Sequence, residues 1–105
     1  MTPLPRFEQR AIAAPGANTN IMSSSITPKM SCRLRVYITL AVAAVLNYTE
    51  TIGGTTRTFG INESVPLGAG DEYIFDHSAS PDAAYNYQVE TDGIITRLKV
   101  EEVYT

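Results

Sequence analysis

From Cys32 onward, apolar and polar side chains alternate with a period of two. Cys32, Leu34, Val36, Ile38 and Leu40 fall on one face, and Arg33, Arg35, Tyr37 and Thr39 on the other. This is the pattern of a half-buried β-strand. The next segment, VLNYTETIGGTTRTFGI, breaks at Gly53-Gly54, a pair suited to the positive φ values of a two-residue type I′ turn. Pairing Ile52 with Thr55 sets Glu50 opposite Arg57, Tyr48 opposite Phe59 and Leu46 opposite Ile61. An aromatic pair and an opposite-charge pair in one register support each other, at about 0.2–1 kcal/mol apiece.

A second hairpin is predicted in YNYQVETDGIITRLKVEEV, where Asp92-Gly93 is a strong turn signal. Pairing Thr91 with Ile94 places Val89 by Thr96, Tyr87 by Leu98 and Tyr85 by Val100, with Asn86, Gln88, Glu90, Arg97 and Lys99 on the wet face. Between the hairpins one short strand is expected near Glu72 to Asp76, flanked by loops at Pro66–Gly70 and Ser78–Ala83. LAVAAVL, residues 40–46, is alanine-rich and suits a helical turn as an alternative. The total is about six strands, which makes the fold class all-β: a small antiparallel sandwich or partly closed barrel with an extended N-terminal arm.

Residues 1–31 read differently. They hold four of the six prolines, with GANTN and SSS between them and no strand or helix periodicity. Such a segment buries too little apolar surface to offset its chain entropy, so an extended or disordered arm is expected there. The domain boundaries that follow are 1–31 for a basic arm and 32–105 for an antiparallel β domain.

The stretch MSCRLRVYITLAVAAVLNY, residues 30–48, supports a second reading. Basic residues precede an apolar run of 11 residues, Val36 to Leu46, and Ala41-Val42-Ala43 fits a small-residue cleavage site. A secretory signal ending near Ala43 is therefore the alternative to a retained first strand. Both arginines and Thr39 fall on one face, which favours the strand. The run is too short to span a bilayer, which needs about 20 apolar residues.

Charge is unevenly distributed. Residues 1–35 carry Arg6, Arg10, Lys29, Arg33 and Arg35 against only Glu8, while the remainder carries three basic residues against ten carboxylates. A basic arm on an acidic body implies that the two face different surroundings. The acidic body disfavours nucleic-acid binding through the β domain. The five basic residues Arg6, Arg10, Lys29, Arg33 and Arg35 are the candidate interaction residues. The single cysteine, Cys32, forbids an intramolecular disulfide and reads as a small apolar side chain at a strand start.

The densest ionisable segment, DEYIFDHSASPD, holds Asp71, Glu72, Asp76, His77 and Asp82. Strand alternation puts Asp71 and His77 on one face and Glu72 and Asp76 on the other, dividing rather than gathering possible ligands, and the spacing fits no calcium or zinc pattern. One histidine and one cysteine lie 45 positions apart, and GGTTRTFG sits in a hairpin rather than before a helix. No catalytic set and no cofactor are therefore expected. The tyrosines read as packed hairpin aromatics rather than sugar platforms. Asn47-Tyr48-Thr49 and Asn62-Glu63-Ser64 match the glycosylation acceptor pattern, which has meaning only in a secreted eukaryotic chain.

In layout, from MTPLPRFEQR as arm through the Gly53-Gly54 and Asp92-Gly93 hairpins, the chain resembles the small β-sandwich decoration or cement proteins of tailed-phage capsids. The resemblance carries no site residues with it. It implies a non-enzymatic virion component, clustered as a homo-oligomer and docked on a shell protein through its arm and sheet edges. KVEEVYT would be such an edge, with Glu101 and Glu102 guarding it. Deleting residues 1–29 is then expected to leave the body folded and to weaken assembly. The alternative is a secreted or surface β module that binds carbohydrate or a protein partner.

Overall fold

The computed structural model describes residues 2–13, 16–89 and 94–104. Its strands are β1 (Thr2–Ile12), β2 (Thr19–Asn20), β3 (Cys32–Leu40), β4 (Leu46–Ile52), β5 (Thr55–Gly60), β6 (Glu72–Ala79), β7 (Ala84–Val89) and β8 (Ile95–Tyr104). They form two antiparallel sheets, ordered β1-β8-β3-β6 and β2-β7-β4-β5. The two sheets sandwich one apolar core and do not close into a barrel.

The alternation in β3 works as its sequence implies. Leu34, Val36, Ile38 and Leu40 are buried, and the strand is paired on both sides, so that Val36 lies between Val100 and Phe75 and Ile38 between Leu98 and Tyr73. Burying each such side chain contributes about 1.5–3 kcal/mol. The first hairpin also forms in the expected register: Ile52 faces Thr55, Glu50 faces Arg57 and Tyr48 faces Phe59. Gly53 and Gly54 have φ of 56° and 83°, as a type I′ turn requires.

Four expectations are corrected. First, eight strands form rather than six, because residues 2–12 and 19–20 join the sheets. The N-terminal segment is not a free arm: β1 pairs along β8, and Ile12, Ile21, Met22 and Ile26 are buried in the core. Deleting residues 1–29 would strip these side chains, so a folded remainder is no longer expected. Their prolines hid the strand, since proline is tolerated on an edge, and β1 is one.

Second, β7 and β8 lie in different sheets, so Tyr87 does not face Leu98 nor Tyr85 Val100. Alternation specifies the face a side chain takes, and not the strand it pairs with. Tyr85, Tyr87 and Val89 reach the core from one sheet, Leu98 and Val100 from the other. A register shift opposite Thr39/Leu40 leaves Thr96 as an extra, exposed residue, and Ile95 takes the core position instead. The Asp92-Gly93 turn itself lies outside the described residues. Third, KVEEVYT is no edge, because β8 runs between β1 and β3. Fourth, the alternative of a helical turn over residues 40–46 does not form: residues 41–42 bend between β3 and β4.

Candidate interaction surface

The five basic candidates do not make one patch. Arg6 is the extra residue of a bulge in β1, and its Nη1 donates to Glu102 Oε2 at 2.7 Å. Glu102 is fully buried, and Tyr104 donates its hydroxyl to the other oxygen at 2.9 Å. Arg35 lies on the opposite, outer face of the same sheet and forks onto both oxygens of Asp76, at 2.8 and 3.1 Å. That bond to Asp76 holds the guanidinium firmly charged and holds the Asp76 carboxyl below its usual range. Arg10 is exposed, 4.0 Å from Glu8. Arg33 and Lys29 are exposed and form no ion pair among the described residues.

Side chains of both signs cover the outer face of this sheet. Arg97 donates to Glu8 and to Glu72, each at 3.0 Å. At the centre Tyr37 donates to Glu101 at 2.8 Å and lies beneath the Lys99 ammonium, 5.5 Å from its ring centroid. The face is charged but internally compensated. The partly exposed Arg97 pairs contribute about 0–1 kcal/mol each.

The outer face of the second sheet carries almost no charge. Its rows run Asn20–Gln88–Asn47–Gly60, then Asn86–Thr49–Thr58, then Ala84–Thr51–Thr56. Asn20 and Ser25 both donate to Asn86 at 3.1 Å, and Thr51 and Thr56 share a hydrogen bond of 3.0 Å. Within this face Asn47 Nδ2 and Thr49 Oγ1 are buried and find no partner in the chain. Asn47 is 1% exposed, so the first of the two glycosylation patterns is inaccessible in the folded protein.

The sandwich is open along its β5 side. Every residue of β5 from Thr55 to Phe59 is exposed, and Phe59 on its inner side stacks on Tyr48 with centroids 5.1 Å apart. Tyr48 in turn stacks on His77, at 4.1 Å and 13°. His77 Nε2 is hydrogen-bonded to the Tyr87 hydroxyl at 3.1 Å. Desolvation pulls the imidazole down to about 4, against a smaller opposite pull from Asp76, and burial pushes the Tyr87 phenol up. A shallow groove of about 240 Å³ lies beside this seam, lined by Glu50, Ile52, Thr55 and Arg57.

His77 turns inward and Glu72 and Asp76 outward, on the two faces that alternation separates. Asp71, however, precedes β6 and is exposed instead of sharing the His77 face, so the acidic residues of the cluster all lie at the surface. Two features lay beyond the reach of sequence. The burial of Glu102 depends on an arginine 96 positions away, and the Tyr48–His77 stack joins strands of different sheets. Cys32 is half-buried at the start of β3, where desolvation and then the Glu102 carboxylate raise its thiol. No helix among the described residues is long and apolar enough to cross a membrane. No protein-family model, curated protein or solved structure matches this chain.

Proposed function

We propose that the protein is a non-enzymatic assembly component that docks on a multimeric partner through its sheet edges, as in a virion shell or a similar extracellular particle. The observation that carries the reading is the exposed β5 edge, which leaves an apolar seam uncovered: Ile52 and Phe59 are 44% and 38% exposed there. An open edge with adjacent apolar surface is the feature by which β proteins add strands from a neighbour. The outer faces of the two sheets are one charged and self-compensated and one rich in amides and hydroxyls, and both suit broad contact.

The basic residues contribute differently than a free arm would. Arg6 is used internally, and Lys29, Arg33 and Arg10 are left to meet acidic groups on a partner. Retention of residues 30–48 fits this reading, since β3 is paired on both sides and a product beginning at Ala44 would lack it. Sedimentation of the protein from its native source tests the proposal. Recovery with a large particle in many copies, with an intact mass that includes residues 30–43, is expected. A slow, free species, or a mass beginning near Ala44, refutes it and favours the secreted module.

A further inference from the structure

The four sheet edges are not equivalent. β1 carries Pro3 and Pro5, which offer no N–H, followed by the bulge at Arg6 and the charges of Glu8 and Arg10. β2 is two residues long. β6 presents Glu72 and Asp76 on its outer face. Each of these is a recognised obstacle to edge-to-edge pairing. β5 is the least obstructed: it is regular, contains no proline or bulge, and its one charge is Arg57, opposite Glu50.

The backbone of β5 specifies what it can accept. Ile61 N donates to Leu46 O at 2.9 Å, which marks Leu46/Ile61 as a hydrogen-bonded pair of the β4–β5 ladder. Such pairs alternate along an antiparallel ladder, so Tyr48/Phe59, Glu50/Arg57 and Ile52/Thr55 are bonded too. The N–H and C=O groups of Thr56, Thr58 and Gly60 therefore point away from β4, toward open space.

We infer that β5 pairs antiparallel with β5 of a second copy about a twofold axis at Thr58, joining two four-stranded sheets into one continuous sheet. This rests on the assembly reading above and names the partner of its open edge. In that register Thr58 meets Thr58 of the partner subunit, and Thr56 meets the partner's Gly60. Every outward N–H and C=O of these three residues then finds a mate. On the inner side Arg57 lies against the partner's Phe59, a guanidinium against an exposed ring, and Ile61 comes beside the groove at Thr55 and Ile52. The alternative register centred on Arg57 sets two guanidinium groups face to face and leaves the Gly60 backbone unmated. The occupant is thus a copy of this chain: in this register the free backbone groups mate with their own twofold copies, and each Arg57 meets the partner's Phe59 rather than the partner's Arg57. On the outside the rows of threonine and amide side chains run on across the axis without introducing a charge.

The test uses the full chain. Sedimentation velocity across about 1 µM to 1 mM should show a species of twice the 11.4 kDa chain mass. Thr58→Lys, which sets two ammonium groups on the axis from an exposed position, should abolish the dimer and leave the circular dichroism spectrum unchanged. Should that variant unfold, cysteine trapping gives an independent reading in a Cys32→Ser background. Thr58→Cys should oxidise to a covalent dimer, and Thr56→Cys, opposite the partner's Gly60, should not. A wild-type chain that stays monomeric, a Thr58→Lys chain that still dimerises, or equal cross-linking at positions 56 and 58 overturns the inference. The assembly reading fails separately, when the protein from its native source sediments free of any particle.

Discussion

Arg6→Ala tests whether the N-terminal segment is part of the fold. Glu102 has no exposed surface, and its two oxygens are held by Arg6 at 2.7 Å and by Tyr104 at 2.9 Å. Removing the guanidinium leaves a buried carboxylate with one neutral donor, a change that costs about 3–5 kcal/mol for a fully buried pair. The Arg6 side chain is 27% exposed, so water offsets part of this, and about 2–3 kcal/mol is expected. With a urea m-value of about 1–2 kcal/mol/M, the unfolding midpoint falls by roughly 1–3 M. Glu102→Gln on top of Arg6→Ala removes the uncompensated charge and should recover part of the loss, giving a coupling energy of about 1–2 kcal/mol in a double-mutant cycle. An Arg6→Ala loss below about 0.5 kcal/mol, the size of an ordinary surface change, would refute the docking of β1 on β8. The N-terminal segment would then be an arm after all.

The half-buried, inward histidine predicts acid sensitivity. Its folded value is lowered to about 4 by desolvation, while in the unfolded chain it titrates near its ordinary 6.5. Between these values the unfolded chain binds the proton and the fold does not, so stability falls as pH drops through that window, by up to about 3 kcal/mol at pH 4. Urea midpoints at pH 7, 5.5 and 4 measure this. Asp76, also lowered, adds to the loss at the acid end, and His77→Phe, packed among Tyr48, Tyr85 and Tyr87, should flatten the upper part of the profile. In the hairpin, Gly54→Val is expected to cost about 1–2 kcal/mol because its φ of 83° is left-handed, while Gly54→Asn should be milder; thermal unfolding separates them. Gly60→Ala places a Cβ 2.5 Å from the Ser64 backbone nitrogen and should cost about 1–3 kcal/mol. Ser64→Ala should rescue it only in part in chemical denaturation, since it removes the hydroxyl at 2.6 Å and leaves the backbone nitrogen in place.

The sequence by itself determined the all-β class, the inward face of β3, and the whole register of the first hairpin. These depend on alternation and on a turn that joins neighbouring residues, which are local properties of the chain. It also placed His77 and Asp76 on opposite faces, because that needs only the period of the strand. The tertiary structure alone decided which strands are neighbours. The β7 and β8 patterns were legible as two apolar faces, but those faces are buried equally well in one sheet or in two. Likewise the prolines of the N-terminal segment read as disorder until β8 supplied a partner for its backbone and Glu102 a partner for Arg6. The basic residues looked like one group because they are close in sequence. Pairing turned Arg6 inward, onto a buried carboxylate far along the chain, whereas alternation alone set Arg35 outward, where Asp76 meets it. Long-range pairing of charge and of edges carries no local periodic signature, and it is what leaves β5 at the edge of its sheet.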